Sequence, residues 1–413
     1  MTSLRANAAW ALVGNVGYAA CQWAVLVVVA RLGTSTDVGC LALGLALGAP
    51  VFILANLQLR AVQATDARHE HAFGVYLGLR LLTTAAALVT IAGVVVALGY
   101  DQRTLGVVLA IALAKAFEAV SDVTFGLLQQ AERLRRMALS QLARGALTVV
   151  GVALAFHTTG SLVVAMLVMA LLWGVWLAMY DLPGAARIAS IRPRFTLAAV
   201  RTVAWLALPL GGVSFLGSLT TNLPRYVLEA HLGTAALGRF AALAYLIVAT
   251  TQPVLALGAA TTPRLARYFA TDVVAYRTLS RRSLALSAGL GASLLATVAL
   301  FGREAVAWSY GSEYAGDAAL LVWLAAAAAL SFLSTALGAA ITAARRFPPQ
   351  LAVAALACVV CGVSAQLLVP RYAMLGAAWA VLAGEAARLG CLLALHAGTR
   401  AARPIALPET VTA

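Results

Sequence analysis

The sequence predicts an all-α protein that crosses a membrane about twelve times. Three observations carry this. Of 413 residues, 62% are hydrophobic and 11% charged, apolar runs of spanning length follow one another with short breaks, and arginine is concentrated in alternate connections. A soluble chain holds roughly 45–50% apolar and about 25% charged residues. A water-soluble fold of this length cannot hide so much apolar surface. Mean hydropathy is +0.92.

A span needs about 20 apolar residues. Such runs lie near 8–30, 38–57, 77–99, 105–128, 138–156, 161–179, 203–222, 238–260, 283–302, 316–343, 351–369 and 374–396. The run at 316–343 is long enough to tilt or to project past the bilayer. The first run is followed by no small-residue cleavage site and polar mature segment, so it reads as a span and not as a signal peptide.

Orientation follows from arginine. The net charge is +14, carried by 28 arginines and the single lysine, Lys115. With both termini cytoplasmic, the inside segments hold 21 cations, including Arg60, Arg68, Arg80, Arg133, Arg135, Arg136, Arg144, Arg345, Arg346 and Arg403. The outside segments hold six: Arg31, Arg103, Arg225, Arg239, Arg303 and Arg371. This bias predicts a multi-pass membrane protein with both termini inside and an even number of spans. The positive charge then faces anionic lipid, and nucleic acid is not an expected partner. The near-total preference for arginine over lysine, beside so much Ala, Leu and Val, reads first as the codon usage of a GC-rich genome.

The longest connection runs from about Tyr180 to Thr202 and divides the chain six plus six. We expect an N-terminal six-helix lobe at 1–180, a cytoplasmic linker at 181–202 containing Asp181, Arg187, Arg192 and Arg194, and a C-terminal six-helix lobe at 203–413. An internal echo supports the division. Leu32-Gly33-Thr34 with Gly39 is answered by Leu232-Gly233-Thr234 with Gly238. Two six-helix halves of equal sense are parallel repeats, related by a pseudo-two-fold axis along the membrane normal.

Catalytic and metal signatures are missing. There is no Walker A loop and no HExxH. Of the five cysteines, Cys358 and Cys361 resemble a CxxC, but no second pair or histidine cluster completes a metal site. The histidines are scattered near span ends, and no nucleophile pairs with a base. No enzyme activity, cofactor or metal is expected.

Charged groups inside spans usually face a bundle interior or a watery cavity. Lys115, Glu118 and Asp122 in the fourth span share one helix face. They read either as a polar stripe on a lumen, with Lys115 drawing an anion, or as a structural ion pair. Glu385 and Arg388 in the twelfth span pair at i, i+3 or with a neighbouring helix. The seventh span carries Pro209, Gly211, Gly212 and Gly217, and then Asn222-Leu223-Pro224-Arg225-Tyr226, which predicts a broken helix of the kind that lines transport paths. Arg225 either enters an outer vestibule or snorkels to headgroups. Asn15 and Gln22 lie on one face of the first span, suited to interhelical hydrogen bonds. Asn56-Leu57-Gln58-Leu59-Arg60 is a polar exit from the second span. Arg60 and Arg80 there either meet an anionic headgroup or serve topology, and Arg144 lies near the same side. The interior is cationic and polar, which suits an anionic substrate.

Four stretches carry a family resemblance. They are Gly14-Asn15 with Arg31-Leu32-Gly33; the segment Leu57 to Asp66; Ser121-Asp122 through Gly126-Leu127-Leu128-Gln129-Gln130; and Asn222-Leu223-Pro224-Arg225-Tyr226 with Leu237-Gly238 and Phe240. The chain resembles polysaccharide (O-antigen type) flippases of the multidrug/oligosaccharidyl-lipid/polysaccharide exporter superfamily, over nearly its whole length. The resemblance implies two six-helix lobes in alternating access. It implies a polyprenyl-diphosphate-linked oligosaccharide passed from the inner to the outer leaflet for polysaccharide export, with a polymerase and glycosyltransferases as partners. Substrate contact would fall to Lys115, Arg144 and Arg225, with Arg60, Arg80 and Asn15 nearby. Glu118, Asp122 and Glu385 (with Arg388) would serve proton or sodium coupling or structural ion pairs. Three alternatives compete. A multidrug or cation antiporter of the same superfamily would favour unpaired acids. A membrane polysaccharide polymerase or glycosyltransferase would show a large outer loop or a soluble domain. A membrane scaffold would need no duplicated plan.

Overall fold

The computed structural model describes residues 4–66, 70–344 and 347–401. Arg68, Arg345, Arg346 and Arg403 of the arginine tally lie outside them. Among the described residues the chain is helical with no strand, and ten helices are long and apolar enough to cross a membrane. Two of these ten each cover two of the sequence runs, and both contain a non-helical residue where the turn between spans is expected: Gly233 (φ 76°, ψ 177°) and Ala373 (φ 52°, ψ −132°). The chain forms two compact units, Met1–Ala242 and Leu243–Ala413.

In the first unit, α1 (Leu4–Leu32) lies along α6 (Leu134–Thr159). Small residues set the approach. A Cβ on Gly14 would meet Ala138 at 2.7 Å, and one on Gly145 would meet Cys21 at 2.8 Å. Close backbone contact through small residues is how membrane helices gain packing energy, since lipid tails compete for apolar surface. α2 (Ser35–Asn56) begins with a capping box, in which Thr34 Oγ1 accepts from Asp37 N at 3.3 Å and Asp37 Oδ2 from Thr34 N at 2.9 Å. It ends where Leu57 and Gln58 both take left-handed φ (49° and 52°), a conformation that is costly away from glycine. That break turns the chain into the short α3 (Leu59–Thr65), which carries Arg60 and Gln63.

α4 (Phe73–Ala97), α5 (Gln102–Gln130, capped by Asp101) and α7 (Leu162–Trp176) complete the set around α5. A π-turn at Leu177–Asp181 leads into α8 (Leu182–Ala186). Asp181 is therefore not the solvated linker residue expected from the sequence. It is 1% exposed and accepts from Ser121 Oγ at 2.7 Å and Ser140 Oγ at 2.6 Å. The wider turn re-aims the chain, which is how a residue next to Pro183 and Gly184 reaches the interior.

α9 (Leu197–Val248) passes through Pro209 and Pro224 with helical backbone, and its non-helical residue is Gly233. The break falls at the glycine and not at the prolines, because a positive φ with extended ψ is open to glycine alone. α9 follows α2. Gln58 Nε2 donates to Ser214 Oγ at 3.1 Å, Tyr226 Oη donates to the Ala46 carbonyl, and Tyr100 Oη donates to Glu229 at 2.9 Å. Beyond Gly233 the two echoed segments touch reciprocally. A Cβ on Gly39 would collide with the Thr234 carbonyl, and one on Gly238 with the Ser35 carbonyl. A contact in which each copy presents the same part to the other is the signature of a two-fold relation.

The second unit contains α10 (Gln252–Thr271), α11 (Val273–Tyr310), α12 (Ala318–Ala343) and α13 (Phe347–Ala401). Tyr276 Oη donates to the Ala340 carbonyl at 3.0 Å, tying α11 to α12. The two arms of α13 fold back at Ala373, where Gly384 faces Cys361.

Candidate functional site

Two clusters in the first unit each set two cations on one carboxylate. In the first, Lys115 Nζ donates to Glu118 Oε2 at 2.7 Å, and Arg144 Nη2 lies 3.5 Å from Glu118 Oε1. Tyr18 donates its hydroxyl to Glu118 Oε1 and accepts from Gln22 Nε2 at 2.6 Å. Four helices contribute: α1, α5, α6 and α7. The side chains differ in access. Arg144 is 2% exposed, while Lys115 retains 28% and Glu118 23%.

Arg144 is held by aromatic faces. Its guanidinium carbon lies 5.0 Å from the Tyr18 ring centre, 4.8 Å from Trp173 and 5.9 Å from Phe125. Lys115 Nζ lies 5.4 Å from the same Trp173 ring. Trp173 is fixed in turn, donating to Thr148 Oγ1 at 2.7 Å, and Thr148 donates to the Arg144 carbonyl. Rings contribute attraction without accepting the protons, and Arg144 Nε and Nη1 have no hydrogen-bond partner. Asn15 accepts from Gln141 Nε2 at 3.2 Å, again joining α1 to α6.

The second cluster closes on Asp122. Arg60 Nη1 lies 3.5 Å from Asp122 Oδ1, and Arg80 Nη2 3.2 Å from Oδ2. Arg80 also donates to Asn56 Oδ1, and Arg60 to Gln129 Oε1 at 3.3 Å. The Arg80 side chain has no exposed surface, whereas Arg60 keeps 27%. Thus the stripe of Lys115, Glu118 and Asp122 is divided: Glu118 serves one cluster, and Asp122 the other.

Arg225 is 6% exposed, with Nη1 donating to Asn222 Oδ1 at 3.1 Å. It is a buried arginine and not one that snorkels to headgroups. Glu385 and Arg388 pair with each other at 3.5 Å. Among the described residues no group of His, Cys, Asp or Glu is placed to hold a metal. Sequence reasoning missed Tyr18 and Trp173, and it noted Asn56 and Gln129 without placing them beside Arg80 and Arg60. Tyr18 was within reach, being three residues after Asn15 and four before Gln22 on one helix face. Trp173 carried no such signal, because its helix is apolar all round.

Buried cation–carboxylate clusters at helix crossings, with ten helices of spanning length and apolarity among the described residues, define a multi-pass α-helical membrane protein. Its fold is that of the MOP superfamily transporters. It superposes on an inward-facing multidrug resistance MATE family transporter with TM-score 0.70 and 16% identity, covering 97% of this chain and 96% of that one. The lipid II flippase MurJ, in an inward closed conformation, gives TM-score 0.73 at 9% identity, covering 92% and 86%. The chain belongs to the polysaccharide biosynthesis protein family, whose model matches residues 28–319. It is 25% identical over 375 residues to the capsular polysaccharide biosynthesis protein CapF of Staphylococcus aureus, covering 90% of this chain and 94% of that protein.

Proposed function

We propose that this protein is a flippase that carries a polyprenyl-diphosphate-linked oligosaccharide from the cytoplasmic to the outer leaflet of a bacterial membrane by alternating access. In this reading residues 1–180 and 203–413 are two six-helix lobes joined by the 181–202 linker, with both termini cytoplasmic. The observation that carries it is the charge balance of the polar clusters. Each sets two cations against one carboxylate, and the buried Asp181 that also faces Arg144 is offset by Arg136, so each keeps one positive charge in surroundings where it is weakly screened. That sign suits a diphosphate and opposes an organic cation.

The members of the first cluster divide the work by access. Lys115, partly exposed, contacts the diphosphate. Arg144, buried beneath aromatic rings, positions Glu118 and sustains the local potential. Arg60 is the exposed cation of the second cluster, and Arg80 fixes Asp122 from behind. Arg225 contributes from α9. If transport is coupled to protons or sodium, Glu385 is the acid we favour, since it faces one cation where Glu118 and Asp122 each face two.

The test is translocation of a fluorescent polyprenyl-diphosphate oligosaccharide in liposomes. A hydrogen bond to a charged group is worth about 1.5–3 kcal/mol. Lys115→Ala is therefore expected to slow transport roughly ten- to a hundredfold, with a smaller loss of thermal stability than Arg144→Ala, since Arg144 stays on Glu118. Arg144→Ala is expected to lower stability and transport together. Wild-type protein that moves no lipid-linked sugar but exchanges an organic cation for protons or sodium would replace the flippase with the antiporter.

A further inference from the structure

A cavity of about 210 Å³ lies apart from both clusters, where α3, the turn into α4, the end of α5 and the segment after α8 converge. Its polar wall is Gln63, His71, Tyr76, Gln130, Ser190 and Arg194. The segment after α8 is firmly seated there. Arg194 N donates to the Gly74 carbonyl at 2.8 Å. Gly78 faces the Arg194 carbonyl and Gly74 the Arg192 carbonyl, both too closely to admit a Cβ. The Arg194 stem crosses Gly74, with Cγ 3.1 Å from where a Cβ would stand.

The wall is rich in donors. Arg194 offers only N–H groups, His71 and Ser190 each offer one or more, and Phe73 and Gly74 open α4 behind Ala72, which has no side chain to cap them. Three wall side chains are already engaged, the first being Gln130, whose Nε2 carries two N–H groups and donates one to the Asp66 carbonyl at 2.7 Å. Gln63, 1% exposed, turns its amide to the Val123 carbonyl and Leu127 N. Tyr76 donates its hydroxyl to Asp66 at 3.2 Å. Two carboxylates oppose an anion here, the exposed Glu70 and the half-buried Asp66. Burial raises the Asp66 pKa, but the N–H groups of Glu70 and His71 and the Tyr76 hydroxyl outweigh this and hold it below the usual carboxylate range. Those three donors also occupy its oxygens. The volume is below the roughly 300–1,000 Å³ of pockets for drug-sized ligands, so the occupant is small.

We propose that this cavity binds a phosphate-bearing anion of headgroup size, with Arg194 as its principal contact and Ser190, His71 and Gln130 around it. Binding there ties the segment 189–194 to the start of α4, and so acts at the connection between the two halves of the sequence. The occupant's chemistry is the same whether it is a soluble phosphate or a lipid phosphate group.

The test uses the full-length protein in phosphatidylcholine nanodiscs, followed by amide hydrogen exchange of 73–76 and 189–194. One arm titrates inorganic phosphate against chloride at equal ionic strength. The other replaces part of the lipid by phosphatidic acid. Protection in the first arm identifies a soluble phosphate, and protection in the second alone a lipid headgroup. Arg194→Gln, which keeps the backbone bond to Gly74, is expected to weaken binding about tenfold or more. Ala189→Leu, which fills the cavity without changing charge, is expected to abolish it. Arg192→Gln is expected to change it less than about threefold. The proposal is overturned if neither arm protects these segments beyond chloride, or if both Arg194→Gln and Ala189→Leu bind as wild type does.

Discussion

Glu118→Gln is expected to destabilise the protein by about 3–5 kcal/mol, because it strands a buried cation. Glu118 is the carboxylate shared by Lys115 and Arg144, at 2.7 and 3.5 Å. Lys115 is long and partly exposed, so it can turn its ammonium towards water. Arg144 has no such exit, being 2% exposed and enclosed by Tyr18, Trp173 and Phe125. Its charge cannot be relieved by deprotonation either. The loss should appear in thermal or denaturant unfolding in detergent. Arg144→Met in the Glu118→Gln background should recover part of it, with a coupling of about 0.5–3 kcal/mol between the two sites. An unchanged unfolding midpoint in Glu118→Gln would mean that Arg144 finds other compensation, and that the cluster is not held as described.

Cross-linking the two echoed segments is expected to stop transport altogether and reversibly. Ser35→Cys with Ala235→Cys, joined in liposomes by a short bifunctional thiol reagent with a reducible linker, would tie α2 to the chain beyond Gly233 while leaving Gly39 and Gly238 in place where the backbones touch. If alternating access separates these segments, the bridged protein is held in one state, and reduction should restore the wild-type rate. The single variants Gly39→Val and Gly238→Val approach the same seam by bulk. Each would force a side chain against a carbonyl, at a cost typical of overpacking, about 1–3 kcal/mol. They should favour the separated state, detected as greater accessibility of a cysteine at position 35 to a water-soluble thiol reagent. Full transport by the cross-linked double-cysteine protein, with the bridge verified by mass, would remove this seam from the transport cycle.

The break after α2 shows where sequence reading reaches its limit. Asn56 to Arg60 was legible as a polar exit, since polar residues there interrupt an apolar run. That Leu57 and Gln58 adopt left-handed backbone was not, because neither residue favours it. The surrounding packing imposes it: Leu57 is 7% exposed, and Gly211 approaches its Cα. The seventh span teaches the converse. Its prolines predicted a broken helix, but α9 holds helical backbone through both, and its non-helical residue, Gly233, lies in the turn between two spans. The Glu385–Arg388 pair was legible because i, i+3 neighbours on a helix meet wherever that helix lies.

The sequence by itself determined the class of fold, an all-α chain that crosses a membrane many times. This follows from local composition: apolar length fixes what can cross a bilayer, and short connections leave little freedom of order. It also located the charged residues within spans. Only the tertiary structure decided their partners. Lys115, Glu118 and Asp122 share a helix face, but whether each meets Arg144, Arg60, Arg80 or an aromatic ring depends on helix rotation and crossing. In a bilayer these are set by close packing between small residues such as Gly14 with Ala138 and Gly145 with Cys21. The apolar pattern is nearly the same on every face of such helices, so it does not encode that rotation. The roles of Tyr18, Trp173 and Asp181 therefore became visible only once the helices stood together.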